Sequence, residues 1–476
     1  MDFISADPES QGLSSPLLLK FVNALDQQIH EMHSLVLLRH GQLIAKGWWS
    51  PYTPERRHML FSLTKSFTST AVGLAIAEGR LSLDDPLLKF FPEQAPAKPG
   101  ENLKVLKIRH LLSMVTGHAQ DTTERMIKRG GKDWVKGFLS LKVENPPGAP
   151  FVYNSGASYM LSAVVQQVTG LRLSEYLKPR LFEPLGIHEF LWETSPQGVD
   201  IGGWGLFLRT EEIARFGQLY LQKGMWQGRQ LIPSAWVEQA TSRQVPNGDN
   251  PESDWAQGYG FQFWRCRHNA YRGDGAFGQY CLVLPEQDAV LAMTSGVQDM
   301  QSVLNLVWEH LLPAFDDTSL PNNPSAHKKL QRKLDKLCLP APELGIQSAL
   351  EASIAGKTYH MQSHERRVKT ISFDFTDEAC LLELRIGRKT DHLVCGRGKW
   401  VSGATRLLSP QGFPMQVLSS AAWTAPGTLS LTLRCIETPF YFTLTCRIDG
   451  DELHIQPQAN VAFGPAQQAE LVGKLG

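Results

Sequence analysis

At 476 residues the chain exceeds one ordinary domain and suits two or three. Apolar residues make up 42% of it, enough for a large core, and 47 basic residues balance 47 acidic ones. That balance argues against nucleic acid or an anionic membrane surface as the main partner, because either needs a basic surplus or a dense basic patch. The opening stretch MDFISADPESQGLSS has an early acid, no Lys or Arg before position 20 and no apolar core, so no secretory signal is expected. No apolar run approaches the roughly 18 residues that span a bilayer. The seven cysteines are odd in number and lack Cys-x-x-Cys spacing. Free thiols in a reducing, cytoplasmic setting are the expectation.

In chain order, SLVLLRHGQLIAKGWW (34–49) predicts two short strands around the turn His40-Gly41. SLTKSFTSTAVGLAIAEG (62–79) predicts a helix apolar on most faces. IRHLLSMVTG (108–117) and SYMLSAVVQQVTG (158–170) predict helices closed by glycine. TEEIARFGQLYLQKG (210–224) predicts another, with Thr210 as N-cap. YGFQFW (259–264), QYCLVLPE (279–286) and AVLAMTSG (289–296) have strand character, the last two joined by a turn at 286–288. VLNLVWEHLLPAF (303–315) predicts a helix. Strands at both ends with helices between suggest an antiparallel sheet covered by helices. The segment 316–327 is rich in Pro, Asn, Ser and Asp, as linkers are. A basic helix over 326–338 carries Lys328, Lys329, Arg332, Lys333 and Lys336 at the spacing of a solvated face. The remainder alternates or is rich in β-branched and aromatic residues, with Asp449-Gly450 as a hairpin signal. The expected division is a first domain over 1–320, a linker and basic helix over 321–344, and a β-rich domain over 345–476, barrel-like or sandwich-like.

The chemistry centres on Ser62-Leu63-Thr64-Lys65. Residues three apart share a helix face. A serine hydroxyl is a weak nucleophile until a base takes its proton. A lysine one turn away can do so if burial leaves part of it neutral, and Phe61, Phe67, Val72, Leu74 and Ile76 make the surroundings apolar. Ser62 also opens the helix, where free N–H groups and the dipole favour developing negative charge. A second Ser-x-x-Lys, Ser325 to Lys328, lies in the linker, where Ser325 fits an N-cap.

The residues around this pair resemble a known family. MLFSLTKSFTSTAVGLAIAEGRLSLDDPLLKFFPE (59–93) resembles the opening of the serine β-lactamase-like and penicillin-binding hydrolases, a group that includes class C β-lactamases and family VIII esterases. Blocks at 108–118, 151–170, 202–224 and 272–296 resemble later family blocks in the same order. The resemblance covers about residues 10–312 and implies an α/β fold with an antiparallel sheet covered by helices. It implies Ser62 as nucleophile, Lys65 as the lysine sharing its proton, and Tyr153 as general base or proton carrier to the leaving group. Ser155 stands where many relatives carry Asn and is given a supporting role. The third motif departs from the pattern, because Gly273-Asp274-Gly275 takes the place of Lys or His, then Thr or Ser, then Gly. Gly275 would let substrate lie against the strand, and the N–H of Ala276, with that of Ser62, would form the oxyanion hole. The missing Lys removes a partner for a substrate carboxylate. Arg272 is adjacent, as a replacement cation or as a solvent-facing side chain.

Three patterns mislead. Gly273-x-Gly275-x-x-Gly278 matches a dinucleotide loop but leads into a strand rather than a helix. His188-Glu189 begins like a zinc-protease motif, but position 192 is Trp. Gly156 to Met160 resembles a nucleophile elbow without its final Gly. The expected protein is a serine hydrolase working through an acyl-enzyme on a small ester or amide, with an esterase favoured. No metal, organic cofactor, nucleic-acid or membrane partner is implied. The alternatives are a β-lactamase or D-amino-acid peptidase or amidase and, from another class, a non-catalytic binding protein on the same fold.

Overall fold

The computed structural model describes residues 3–346, 348–408 and 414–476. They form two compact units. The first takes in the described residues up to Gly47, Arg57–Ser295 and Asp299–Asp335. The second takes in Trp48–Arg56, Gly296–Gln298 and the described residues from Lys336 onward.

The first unit is built on six strands, β1 (Met32–Arg39), β2 (Gln42–Trp48), β3 (Trp264–Arg265), β4 (Tyr271–Gly275), β5 (Gln279–Leu284) and β6 (Ala289–Ser295). Their spatial order is β2-β1-β6-β5-β4-β3. Strand β1 runs antiparallel to β6, with Leu35 opposite Met293, and so brings the start of the chain beside residues nearly 260 positions later. Strands β1, β5 and β6 are buried along their whole length, which is why they read as continuous apolar runs. The unit's helices include α1 (Ser15–Gln28), α2 (Thr64–Ala77), α3 (Ser155–Thr169) and α4 (Thr210–Leu221). Helix α4 lies on β1, β5 and β6. It comes so close that a Cβ on Gly217 would meet Val290 at 2.6 Å and the Cys281 sulfur at 2.9 Å. Helix α2 packs against α3 and β4. Its side chains are buried from Thr64 to Ala75 on every face, as its composition predicts.

Several element boundaries differ from the sequence expectation, each for a tertiary reason. The helix expected over 108–117 ends at Leu112, and Met114 takes φ +61°. The Met114 carbonyl there accepts from Val152 N at 2.9 Å. The strand expected over 259–264 shrinks to Trp264–Arg265, because Gln262 adopts φ +65° and turns its amide inward. Its Nε2 donates to the Leu112 carbonyl at 2.8 Å and its Oε1 accepts from Ser158 at 2.6 Å. Thr210 is the first helical residue of α4 rather than its cap. The cap is Arg209, whose N–H donates to Glu212, while the Thr210 hydroxyl meets Ser34 at 2.7 Å. The basic helix runs over Pro324–Leu334 and is capped by Asn323, not Ser325.

The second unit holds an all-β barrel of ten strands, β7 (Thr358–Met361), β8 (Val368–Phe375), β9 (Ala379–Ile386), β10 (Lys389–Arg397), β11 (Val401–Thr405), β12 (Met415–Ala425), β13 (Thr428–Arg434), β14 (Tyr441–Asp449), β15 (Glu452–Ala459) and β16 (Leu471–Leu475). Neighbours along the ring are antiparallel. Ser420 and Ala421 of β12 close it by pairing in parallel with Gly396 and Arg397 of β10. Residues of one parity point inward, such as Cys380, Leu382 and Leu384, and form one apolar core. The barrel sheet and the six-stranded sheet share no strand. Among the described residues no helix is long and apolar enough to cross a membrane.

Candidate active site

Ser62 sits in a tight turn, Phe61–Leu63, that leads directly into α2. Phe61 holds φ +47°, an uncommon conformation for a bulky residue. The turn is fixed from two sides. Leu60 N donates to the Leu206 carbonyl at 2.9 Å, and β4 lies against its back. Deeper in α2 the hydroxyls expected to burden a buried helix are all partnered across the fold. Ser66 donates to the Gln262 carbonyl at 2.9 Å, Ser69 to the Phe261 carbonyl at 2.7 Å and Thr68 to the Gly202 carbonyl at 2.8 Å. Ser62 itself is half-buried.

Lys65 is 1% exposed. Its Nζ donates to Ser62 Oγ at 2.8 Å, Ser155 Oγ at 3.0 Å and the Gly203 carbonyl at 2.8 Å. Three partners suit an ammonium. They suit a neutral amine equally, with two N–H groups on Ser155 and Gly203 and the lone pair toward the Ser62 hydroxyl. Burial pushes the Lys65 pKa down to about 7, against the pull of the Asp121 and Asp274 carboxylates. Tyr153 comes from the chain just before α3. Its hydroxyl lies within hydrogen-bonding reach of Ser62, and its ring centroid is 4.8 Å from Lys65 Nζ. Burial, with the Asp274 charge second, raises the Tyr153 pKa far above the usual phenol range, so the phenol stays protonated. Asn154 places both neighbours. It caps α3 through Ala157 N and accepts from Thr122 Oγ1 at 2.7 Å, while Ser155 N donates to Asp121 at 2.6 Å.

The third-motif strand is β4. The space that a Gly275 side chain would fill is taken by the protein itself, since a Cβ there would meet the Leu60 carbonyl oxygen at 1.9 Å. A Cβ on Gly273 would meet Leu63 at 2.5 Å and Ser66 Oγ at 2.6 Å. Both glycines let the strand press against the turn that carries the serine. Gly275→Ala is therefore expected to lower stability by about 1–3 kcal/mol and to lower kcat, because the Ser62 turn must shift. Thermal melting read beside ester hydrolysis checks this. An unchanged melting temperature would show that the contact is not binding. Ala276 is half-buried and sits between Gly275 and Phe277, whose ring meets Phe61 edge-on at 5.5 Å.

Arg272 does not face solvent. It is 0% exposed, and its Nε donates to Asp274 Oδ2 at 2.8 Å. Its Nη1 donates to the Asp254 carbonyl at 2.8 Å. Sequence reasoning did not single out Asp121, Gly203 or Asp274 as partners of Lys65. Gly202-Gly203 carried a signal in hindsight. A Cβ on Gly203 would meet the Ser155 carbonyl at 2.8 Å, so glycine lets this segment reach α3 and present its carbonyl. Among the described residues no group of three or more His, Cys, Asp or Glu is arranged to hold a metal ion.

Comparison with known proteins identifies the family. The 6-aminohexanoate-dimer hydrolase of Paenarthrobacter ureafaciens is 26% identical over 296 residues, covering 58% of this chain and 76% of that protein. Esterase EstB of Burkholderia gladioli is 26% identical over 216 residues, covering 40% of this chain and 55% of that protein. The octameric penicillin-binding protein homologue from Pyrococcus abyssi superposes with a TM-score of 0.50 at 15% identity, covering 96% of this chain and 99% of that one. The description Beta-lactamase matches residues 22–306, more than half of the chain, from within α1 through Tyr153 to beyond β6. The kinship suggested by the serine–lysine turn is thereby established, and the chain belongs to the Beta-lactamase family of serine hydrolases.

Proposed function

We propose that residues 1–320 carry a hydrolase that cleaves a small, neutral ester or amide through an acyl-enzyme on Ser62, with esters the better substrates. The observation that carries this is the 2.8 Å contact between Ser62 Oγ and a buried Lys65 whose pKa lies near 7. Lys65 in its neutral form takes the Ser62 proton as Oγ adds to the substrate carbonyl. Tyr153, held as a neutral phenol, gives its proton to the departing oxygen or nitrogen and is reprotonated by the Lys65 ammonium. Water then adds to the acyl carbonyl, its proton passes to the same pair, and Ser62 leaves with a proton restored. The N–H groups of Ser62 and Ala276 are the proposed oxyanion donors.

The substrate preference rests on charge. Strand β4 has Gly273 at the position where the family's Lys would meet a substrate carboxylate, and Arg272 is turned inward onto Asp274. Asp121 adds a second carboxylate near Lys65. A charge-assisted hydrogen bond contributes about 1.5–3 kcal/mol, so its loss weakens binding of an anionic lactam roughly ten- to hundred-fold. Short p-nitrophenyl esters are therefore expected to exceed nitrocefin in kcat/KM by about tenfold or more. Parallel kinetics on both decide it, and a better turnover of nitrocefin would replace the esterase reading with that of a β-lactamase.

A further inference from the structure

We propose that the buried Arg272–Asp274 pair is a positioning device for Tyr153 that acts through the indole of Trp264. The inference rests on the catalytic reading of Tyr153 given above. Trp264 and Arg272 face each other across β3 and β4, so their side chains emerge on the same side of the sheet. The Arg272 guanidinium carbon lies 5.7 Å from the Trp264 ring centre and 4.3 Å from that of Trp255. Asp274 accepts from Arg272 and has the Trp264 side chain as a second donor within reach. Trp264 in turn stacks on Tyr153, with centroids 5.2 Å apart and planes 22° apart. Tyr259 meets Trp264 and Tyr153 edge-on at 4.8 and 6.2 Å. The plane of the Tyr153 ring is thus set by Trp264, and that of Trp264 by the ion pair behind it. The ring plane decides where the phenolic oxygen points.

A stability role alone does not account for this pair. Taking two charges out of water is costly, and replacing a buried pair by apolar residues is often neutral or stabilising. Arg272 Nη2 has no hydrogen-bond partner among the described residues, so the guanidinium is not even fully satisfied. Arg272 and Asp274 touch neither Ser62 nor Lys65 by any hydrogen bond. They are positioning groups, one ring removed from the Tyr153 hydroxyl; the Asp274 charge also reaches Lys65 through space, so kcat is read on the alkaline plateau, where Lys65 is neutral in every variant.

The test is a mutant cycle read as kcat and KM on a p-nitrophenyl ester. Tyr153→Phe is expected to lower kcat about 10²-fold, the usual scale for a lost proton carrier. Asp274→Asn keeps the shape and an acceptor but removes the charge. It is expected to lower kcat about 10-fold with KM changed less than about twofold, part of the roughly 10²-fold that a 1 Å misplacement costs. Trp264→Phe should behave alike. The decisive arm is the Tyr153→Phe background, where adding Asp274→Asn or Trp264→Phe should cost less than about twofold, since the hydroxyl they position is gone. If Asp274→Asn does not fold, Arg272→Met with Asp274→Asn removes both buried charges and carries the same expectation. Losses that multiply in the Tyr153→Phe background, or a folded variant keeping more than about half of kcat, overturn the inference alone. If Tyr153→Phe itself keeps more than about a third of kcat, the reading of Tyr153 fails and this inference with it.

Discussion

Ser62→Ala is expected to lower kcat by about 10⁴- to 10⁶-fold, the scale seen when the nucleophile of a serine hydrolase is removed. Covalent labelling by a fluorophosphonate should vanish with it. The fold should survive, because the loss is one oxygen at a half-buried position and Lys65 retains its contacts to Ser155 and the Gly203 carbonyl. Mass spectrometry of the labelled wild-type protein checks the assignment directly. An adduct on any other residue would remove Ser62 from its role. Absence of labelling in a folded wild-type protein would favour a binding protein on this fold.

Replacing Lys65 should be nearly as severe, with opposite effects on activity and stability. Lys65→Met is expected to lower kcat by about 10²- to 10⁴-fold, the range for a lost acid–base group. In the proposed mechanism the active form is the neutral amine, so wild-type labelling should rise with pH and reach half its plateau near pH 7, where the folded Lys65 titrates. Asp121 and Asp274 both raise that value. Asp121→Asn should therefore move the acid limb to lower pH. For stability the sign is reversed. Unfolded Lys65 keeps its proton until the ordinary value of 10.5, whereas the folded side chain releases it near 7. The cost of burying it thus grows as pH falls from 10.5 to about 7 and is complete below. Lys65→Met, which buries no charge, should melt at higher temperature than wild type at pH 7. A labelling rate that stays flat from about pH 6 to 8 would exclude Lys65 as the base.

Much of this site is readable from adjacent residues. The three-residue interval from Ser62 to Lys65 places both on one face, and the apolar surroundings announce a buried helix. Strands β5 and β6 and the turn between them follow from an apolar run, Pro285 and Asp288. The Asp449-Gly450 turn locates β14 and β15. Strand β12 was not legible. Its centre is Ser419, Ser420, Ala421 and Ala422, small residues with no β preference, and its pairing with β10, β11 and β13 makes it a strand. Gln262 and Met114 likewise leave their expected elements because long-range hydrogen bonds take their polar atoms.

Ser62, Lys65 and Tyr153 could be nominated from the sequence, because local spacing and ordered motifs are properties of neighbouring residues. The proton affinity of Lys65 was not. It depends on burial and on carboxylates at positions 121 and 274, and the carbonyl that holds the amine comes from Gly203, 138 residues downstream. Nor could the sequence say whether Arg272 meets substrate or turns inward, since strand alternation gives only a face. The register that sets Trp264 opposite Arg272, and the carboxylate two residues along, decide that it turns inward. Chain-local periodicity determines which residues lie on which element. Desolvation and charge at a point in space are summed over groups that only the folded chain brings together.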